Sequence, residues 1–138
     1  MPRAIAIDYG MKRTGLAVTD DLMIIASPLE TVETAQLISR LKVLTAKGDI
    51  VCLVLGEARH ADGNASDITL QQEKFATLLR KEFPNIPVER VDERYTSKIA
   101  AQALVRGGMK KKDRMKKENL DKVSAALILQ SWLAQRGG

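Results

Sequence analysis

Asp8, Glu93 and Asp121 are the residues of this chain best suited to chemistry. Asp8 closes the apolar run AIAI, Asp92-Glu93 closes the short run VERV, and Asp121 opens the last amphipathic stretch. A carboxylate at the end of a buried strand is costly to keep charged unless it is paired or bound to a cation. Converging carboxylates with no matching arginine make an oxygen-only site, which suits Mg²⁺ or Mn²⁺. Two such ions about 4 Å apart activate water and stabilise the leaving oxygen in phosphodiester hydrolysis. Read singly, each acid has a plainer use. Asp8 serves as a turn residue, Asp121 as a favourable charge at a helix N-terminus, and Glu93 as a partner for Arg90 or Arg94. Their joint placement points to catalysis.

Several other residues could assist. Gly10 and Gly15 either let a phosphate approach the backbone or simply make a tight hairpin turn. Lys12, Arg13 and Arg94 stand beside the acids, placed to contact a phosphate or to neutralise carboxylates. From Arg106 to Lys122 there are eight basic and three acidic residues, so this segment carries the whole net charge of +5. Its Lys110, Lys111, Lys112, Arg114, Lys116 and Lys117 fit a polyanionic partner, with a solvated lysine-rich loop as the plainer reading. His60, the one histidine, is read as a surface residue of a polar loop before it is read as a base. Tyr9 and Tyr95 each neighbour a candidate ligand and suit packing beside the site better than stacking on a base. Cys52 lies in an apolar run and reads as core.

The elements that would position these groups follow from periodicity. RAIAIDYG reads as a buried strand, RTGLAVTDD as its hairpin partner, and LMIIASP as a third strand ended by Pro28. Thr31 to Lys47 has helical spacing at Leu37, Ile38, Leu41 and Leu44, closed by Gly48. DIVCLVLG is a strand covered on both faces. The polar stretch EARHADGNAS is a candidate functional loop. Ser66 caps a helix to Phe83 with Ile68, Phe75, Leu78 and Leu79 inward. After Pro84 and Pro87 come a short strand, VERV, and a helix from Thr96 to Arg106. The basic segment is a mobile loop, and Asn119 caps a last helix with Leu120, Val123, Leu127 and Trp132 inward. The order βββαβαβαα predicts an α/β chain with a mixed five-stranded sheet and helices on both faces, the order of the ribonuclease H-like fold. Sites in such open sheets form beyond the carboxyl ends of the strands.

Composition sets the outer bounds. At 138 residues, with 45% hydrophobic and 28% charged residues, the chain suits one globular domain spanning 1–138. Its one cysteine forms no internal disulfide, which implies a reducing compartment. No apolar run approaches the ~20 residues that span a bilayer, and none resembles a signal-peptide core. The expectation is a cytoplasmic protein.

Three motifs resemble one family. They are D-Y-G-x-K-R-x-G-x-A at Asp8 to Ala17, V-D-E-R-Y-T-S at Val91 to Ser97, and K-x-x-x-D-x-x-S-A-x-x-I-L at Lys117 to Leu129. Together, and in this order along the whole chain, they resemble the YqgF family of bacterial pre-16S rRNA nucleases related to Holliday-junction resolvases. The resemblance implies a ribonuclease H-like fold, a cytoplasmic role in maturing the 5′ end of pre-16S rRNA, and Asp8, Glu93 and Asp121 as metal-binding acids. One departure is Ala58, which stands where the family commonly has proline after Gly56, and this should loosen the loop entrance without removing chemistry. Glu57 sits where resolvases of the wider superfamily place a catalytic glutamate, although the family motif there is not acidic.

Two rival readings belong to other classes. Asp-x-Gly-x-x-x-x-Gly is also the phosphate loop of sugar kinases and actin-like ATPases, but those proteins enclose nucleotide between two such domains. A non-catalytic RNA-binding module of ribosome assembly would use the basic segment alone. Structured RNA is the favoured substrate and branched DNA the alternative; an RNA-trimming enzyme suits a monomer, a resolvase a homodimer.

Overall fold

A computed structural model describes residues 2–57, 67–92 and 117–137, with the side chains at 57, 67–69, 92, 117–121 and 137 not described. Five strands, β1 (Arg3–Asp8), β2 (Arg13–Thr19), β3 (Ala26–Glu33), β4 (Ile50–Glu57) and β5 (Val88–Asp92), form one sheet in the order β3-β2-β1-β4-β5. β1 pairs antiparallel with β2 and parallel with β4; β2–β3 is antiparallel and β4–β5 parallel. The helices are α1 (Leu37–Thr45), α2 (Asp67–Glu82) and α3 (Lys117–Gly137). The helix expected over 96–106 and the loop expected over 57–66, apart from Glu57, lie outside the described residues, as does the basic segment before Lys117.

Alternate residues of β1 separate two cores. Ile5 and Ile7 pack with Leu16, Leu53, Leu55, Leu37 and Leu41 of α1, and Phe75 and Leu79 of α2. Ala4 and Ala6 face the other way, with Ala17, Val54, and Ala125, Ile128, Leu129 and Trp132 of α3. Small alanines on sheet and helix alike let α3 approach closely, with Ile128, Leu129 and Trp132 filling the rest of this core. Helices therefore cover both faces, as the element order required.

Several expectations need correction. The third strand is not Leu22–Pro28 but Ala26–Glu33. Leu22, Ile24 and Ile25 are exposed in a turn, because the Asp20 carboxylate accepts hydrogen bonds from the Ile24 and Ile25 N–H groups at 2.7 and 2.9 Å. Pro28 does not end the strand: it lies opposite Ala17 beside a register shift, on an edge strand where a missing N–H is tolerated. The helix expected from Thr31 begins at Leu37, after a 3-10 turn at Thr34–Gln36, because residues 31–33 still pair with β2. Gly48, at φ +79°, follows it as expected. The last helix starts at Lys117, two residues before its expected cap Asn119. Leu78, expected inward, is 39% exposed.

Cys52 is buried, as expected, and burial first, with the Glu89 carboxylate 3.1 Å from Sγ second, pushes its thiol up to about 12. The folded state thus holds a proton that the unfolded chain releases near 9, so this contribution to stability is lost as pH rises from about 9 towards 12. Native protein at pH 8 is expected to resist iodoacetamide, and urea-unfolded protein to react fully. Rapid labelling of the native chain would contradict this burial. Among the described residues no helix is long and apolar enough to cross a membrane.

Candidate active site

The parallel strands β1, β4 and β5 all end at one edge of the sheet, where β2 begins and β3 ends. Asp8 is the last residue of β1 and is half-buried. By alternation from Ala4 and Ala6 it belongs to the α3 side of the sheet. Its neighbour across β2 is Gly15, and the residue before it pairs with Leu55, next to Gly56. Asp8 therefore stands between two strand positions that carry no side chain.

α3 runs back from this same edge. Lys122 near its start lines a groove with Arg13 and Glu33, whereas Trp132 and Leu133 pack with Met23 and Ala26 at the opposite end of the sheet. Asp121, four residues before the buried Ala125, is thus in the part of α3 that lies at the Asp8 edge. Val91 of β5 packs in the same core as Ala6 and Ala125, and Glu93 follows it by two residues in sequence. Glu93 and Arg94 themselves lie outside the described residues, as do His60, Tyr95, Lys110, Lys111, Lys112, Arg114 and Lys116. Glu57 ends β4 opposite Asp92. Among the described residues no group of three metal-capable side chains comes together, since only Asp8 of the three acids has a described side chain.

The turn after Asp8 is tightly held. Thr34 Oγ1 donates to the Gly10 carbonyl at 2.6 Å and lies 2.9 Å from the Oγ1 of Thr14, which is fully buried. The Thr34 N–H donates to the Lys12 carbonyl at 2.9 Å. A Cβ on Gly10 would come within 2.2 Å of the Arg13 carbonyl oxygen, so the close turn alone demands glycine there. Lys12 is exposed on this turn and Arg13 is half-buried at the start of β2. Tyr9 stacks on Phe75 with ring centroids 4.7 Å apart, which is packing beside the site rather than a free base platform. Lys117 is the first residue of α3, not part of the preceding loop.

Sequence reasoning missed two groups. The Thr14–Thr34 pair was hidden because a strand threonine and a turn threonine 20 residues apart show no pattern. Lys122 was counted in the basic cluster without being distinguished from its neighbours; its position directly after Asp121 was the available signal.

A family model described as "RuvX: Holliday junction resolvase" matches residues 2–135. The chain belongs to the RuvX family. Its relatives include a protein of Christiangramia forsetii, 45% identical over 133 residues, covering 96% of this chain and 98% of that one. Another, from Amoebophilus asiaticus, is 48% identical over 134 residues, covering 97% and 95%. Both carry the name "Putative pre-16S rRNA nuclease". Among solved structures, Thermus thermophilus RuvC in complex with a Holliday junction substrate superposes with a TM-score of 0.66 at 18% identity, covering 100% of this chain and 97% of that one. That likeness establishes the ribonuclease H-like fold. The YqgF resemblance of the three motifs is thereby confirmed at full length.

Proposed function

We propose that this RuvX-family chain is a divalent-metal-dependent nuclease that hydrolyses phosphodiester bonds of pre-16S rRNA near its 5′ end. The observation that carries this reading is Asp8, half-buried at the end of β1 between glycine positions and on the side of the sheet that α3 covers. The names of the relatives at 45% and 48% identity support the substrate. Asp8, Glu93 and Asp121 would hold one or two Mg²⁺ or Mn²⁺ ions through oxygen alone. When bound, such ions acidify water and offset charge on the leaving oxygen. The chain's own residues would do the rest. The acids would hold the ions in place, and Gly10, Lys12 and Arg13 after Asp8 and Arg94 after Glu93 would receive the phosphate oxygens. Lys110, Lys111, Lys112, Arg114, Lys116 and Lys117 would grip the flanking backbone. Cytoplasmic action on a pre-ribosomal particle follows from that substrate.

The description of the family model favours a second reading, a homodimeric endonuclease for branched DNA. Incubating the protein with Mg²⁺ or Mn²⁺ and either a 5′-extended 16S precursor or a four-way DNA junction separates the two. The proposal expects shortened RNA and intact junction. Cleaved junction alone would favour the resolvase, and a gel shift with no cleavage of either would leave a binding module.

The basic segment gives its own test. Replacing Lys110, Lys111 and Lys112 by glutamine is expected to weaken RNA binding without changing turnover at saturation. If all three touch backbone, the slope of log K against log salt falls by roughly 2 on single strands, or nearly 3 on duplex. Equal slopes for wild type and triple variant would mean a solvated loop.

A further inference from the structure

Beside the Asp8 edge lies an open groove of about 550 Å³, formed by the early part of α3, the start of β2 and the end of β3. Arg13 and Lys122 line it from two different elements, together with Leu29, Thr31 and Glu33. Two cations lining one groove from separate elements are a plain arrangement for one phosphodiester. The acids around it weaken this less than their number suggests. Glu30 is engaged by Arg40, in a two-pronged ion pair reaching α1 on the other face. Among the described lining residues this leaves Glu33, the strand partner of Arg13, beside the two cations. The groove is also in line with the site: Asp8 lies opposite Gly15, and Arg13 is the next residue of β2 on the same face. That diagonal spans about 7–8 Å. Because β3 is the sheet edge, the groove opens sideways, and a polymer can leave through it.

We propose that Arg13 and Lys122 form a phosphate subsite that holds the nucleic-acid strand one step away from the scissile bond, guiding it out over the β3 edge. This rests on the nuclease reading above and adds to it a direction for the strand and a residue, Lys122, outside the acid set. Lys122 is thus a binding and positioning residue, not a catalytic one.

The test uses the full chain and single-stranded RNA oligonucleotides. For Lys122→Gln, binding measured without divalent metal is expected to weaken about tenfold at low salt. The salt slope should fall by about 0.7, the value of one phosphate contact. Lys122→Arg should restore both, and Lys42→Gln, on α1 beside Glu82, should change neither. In cleavage, KM should rise with kcat within twofold. With oligonucleotides trimmed progressively from one end, the difference between wild type and Lys122→Gln should vanish once the contacted phosphate is removed. An unchanged slope, or a loss that persists on every trimmed substrate, overturns the subsite. Binding decides the groove and cleavage decides the nuclease reading, so the two fail separately: an inactive protein with the expected slope change keeps the groove and loses the enzyme.

Discussion

Asp8→Asn is expected to lower metal-supported cleavage by about 10³-fold or more, equivalent to ~4 kcal/mol of lost transition-state stabilisation, while the protein stays folded. Asparagine keeps the shape of the side chain at the end of β1 and removes the ligand charge. The strand beneath it is anchored by Ile5 and Ile7, both fully buried, which do not depend on that charge. Turnover with Mg²⁺ or Mn²⁺ and a melting curve on the same sample check the two halves together. A raised melting temperature with lost activity would fit a cluster of mutually repelling carboxylates that relaxes in the variant. Unchanged turnover would remove Asp8 from the site.

Gly10→Ala carries the second large effect, and it acts through the backbone. The new Cβ meets the Arg13 carbonyl oxygen at 2.2 Å, so the turn must move. It cannot move freely, because Thr34 holds the Gly10 and Lys12 carbonyls. Strain of this kind costs about 1–3 kcal/mol. The strands on either side carry Asp8 and Arg13, and a displacement near 1 Å at a reacting group costs about 10²-fold in rate. Melting temperature and cleavage should therefore fall together. If cleavage and RNA affinity fell while the melting temperature held, the glycine would instead be serving close approach of a phosphate.

The sequence was readable where a residue's surroundings repeat. β1, β2, β4 and the middle of α1 show apolar patterns that follow from burial on one or both faces, and the structure places them accordingly. β3 was misplaced for a physical reason. As an edge strand it carries Glu30, Glu33 and a proline, whereas Leu22, Ile24 and Ile25 of the preceding apolar run are turned outward by the Asp20 side chain. Neither exposure nor side-chain capping leaves a periodic signal. At the site, Asp8 was visible because an acid after an apolar run is chemically conspicuous. Gly15 was singled out as well, but its place directly opposite Asp8 was not, since strand register depends on pairing rather than composition. Lys122 was hidden for a similar reason: counting charges along the chain does not say which lysine faces a groove. The three motifs conveyed what local reasoning could not, namely that acids from distant segments belong to one family pattern.

On the reading proposed above, Asp8, Glu93 and Asp121 make one metal site from three separated segments. Titrating Mn²⁺ into wild type, Asp8→Asn, Glu93→Gln and Asp121→Asn, with bound metal read by electron paramagnetic resonance, tests it most directly. Binding is expected to be saturable in the wild type and at least about tenfold weaker in each variant, about 1.4 kcal/mol per variant, with all three variants still folded by circular dichroism. Wild-type affinity in any one of the three would show that this acid lies outside the site and would contradict the claim.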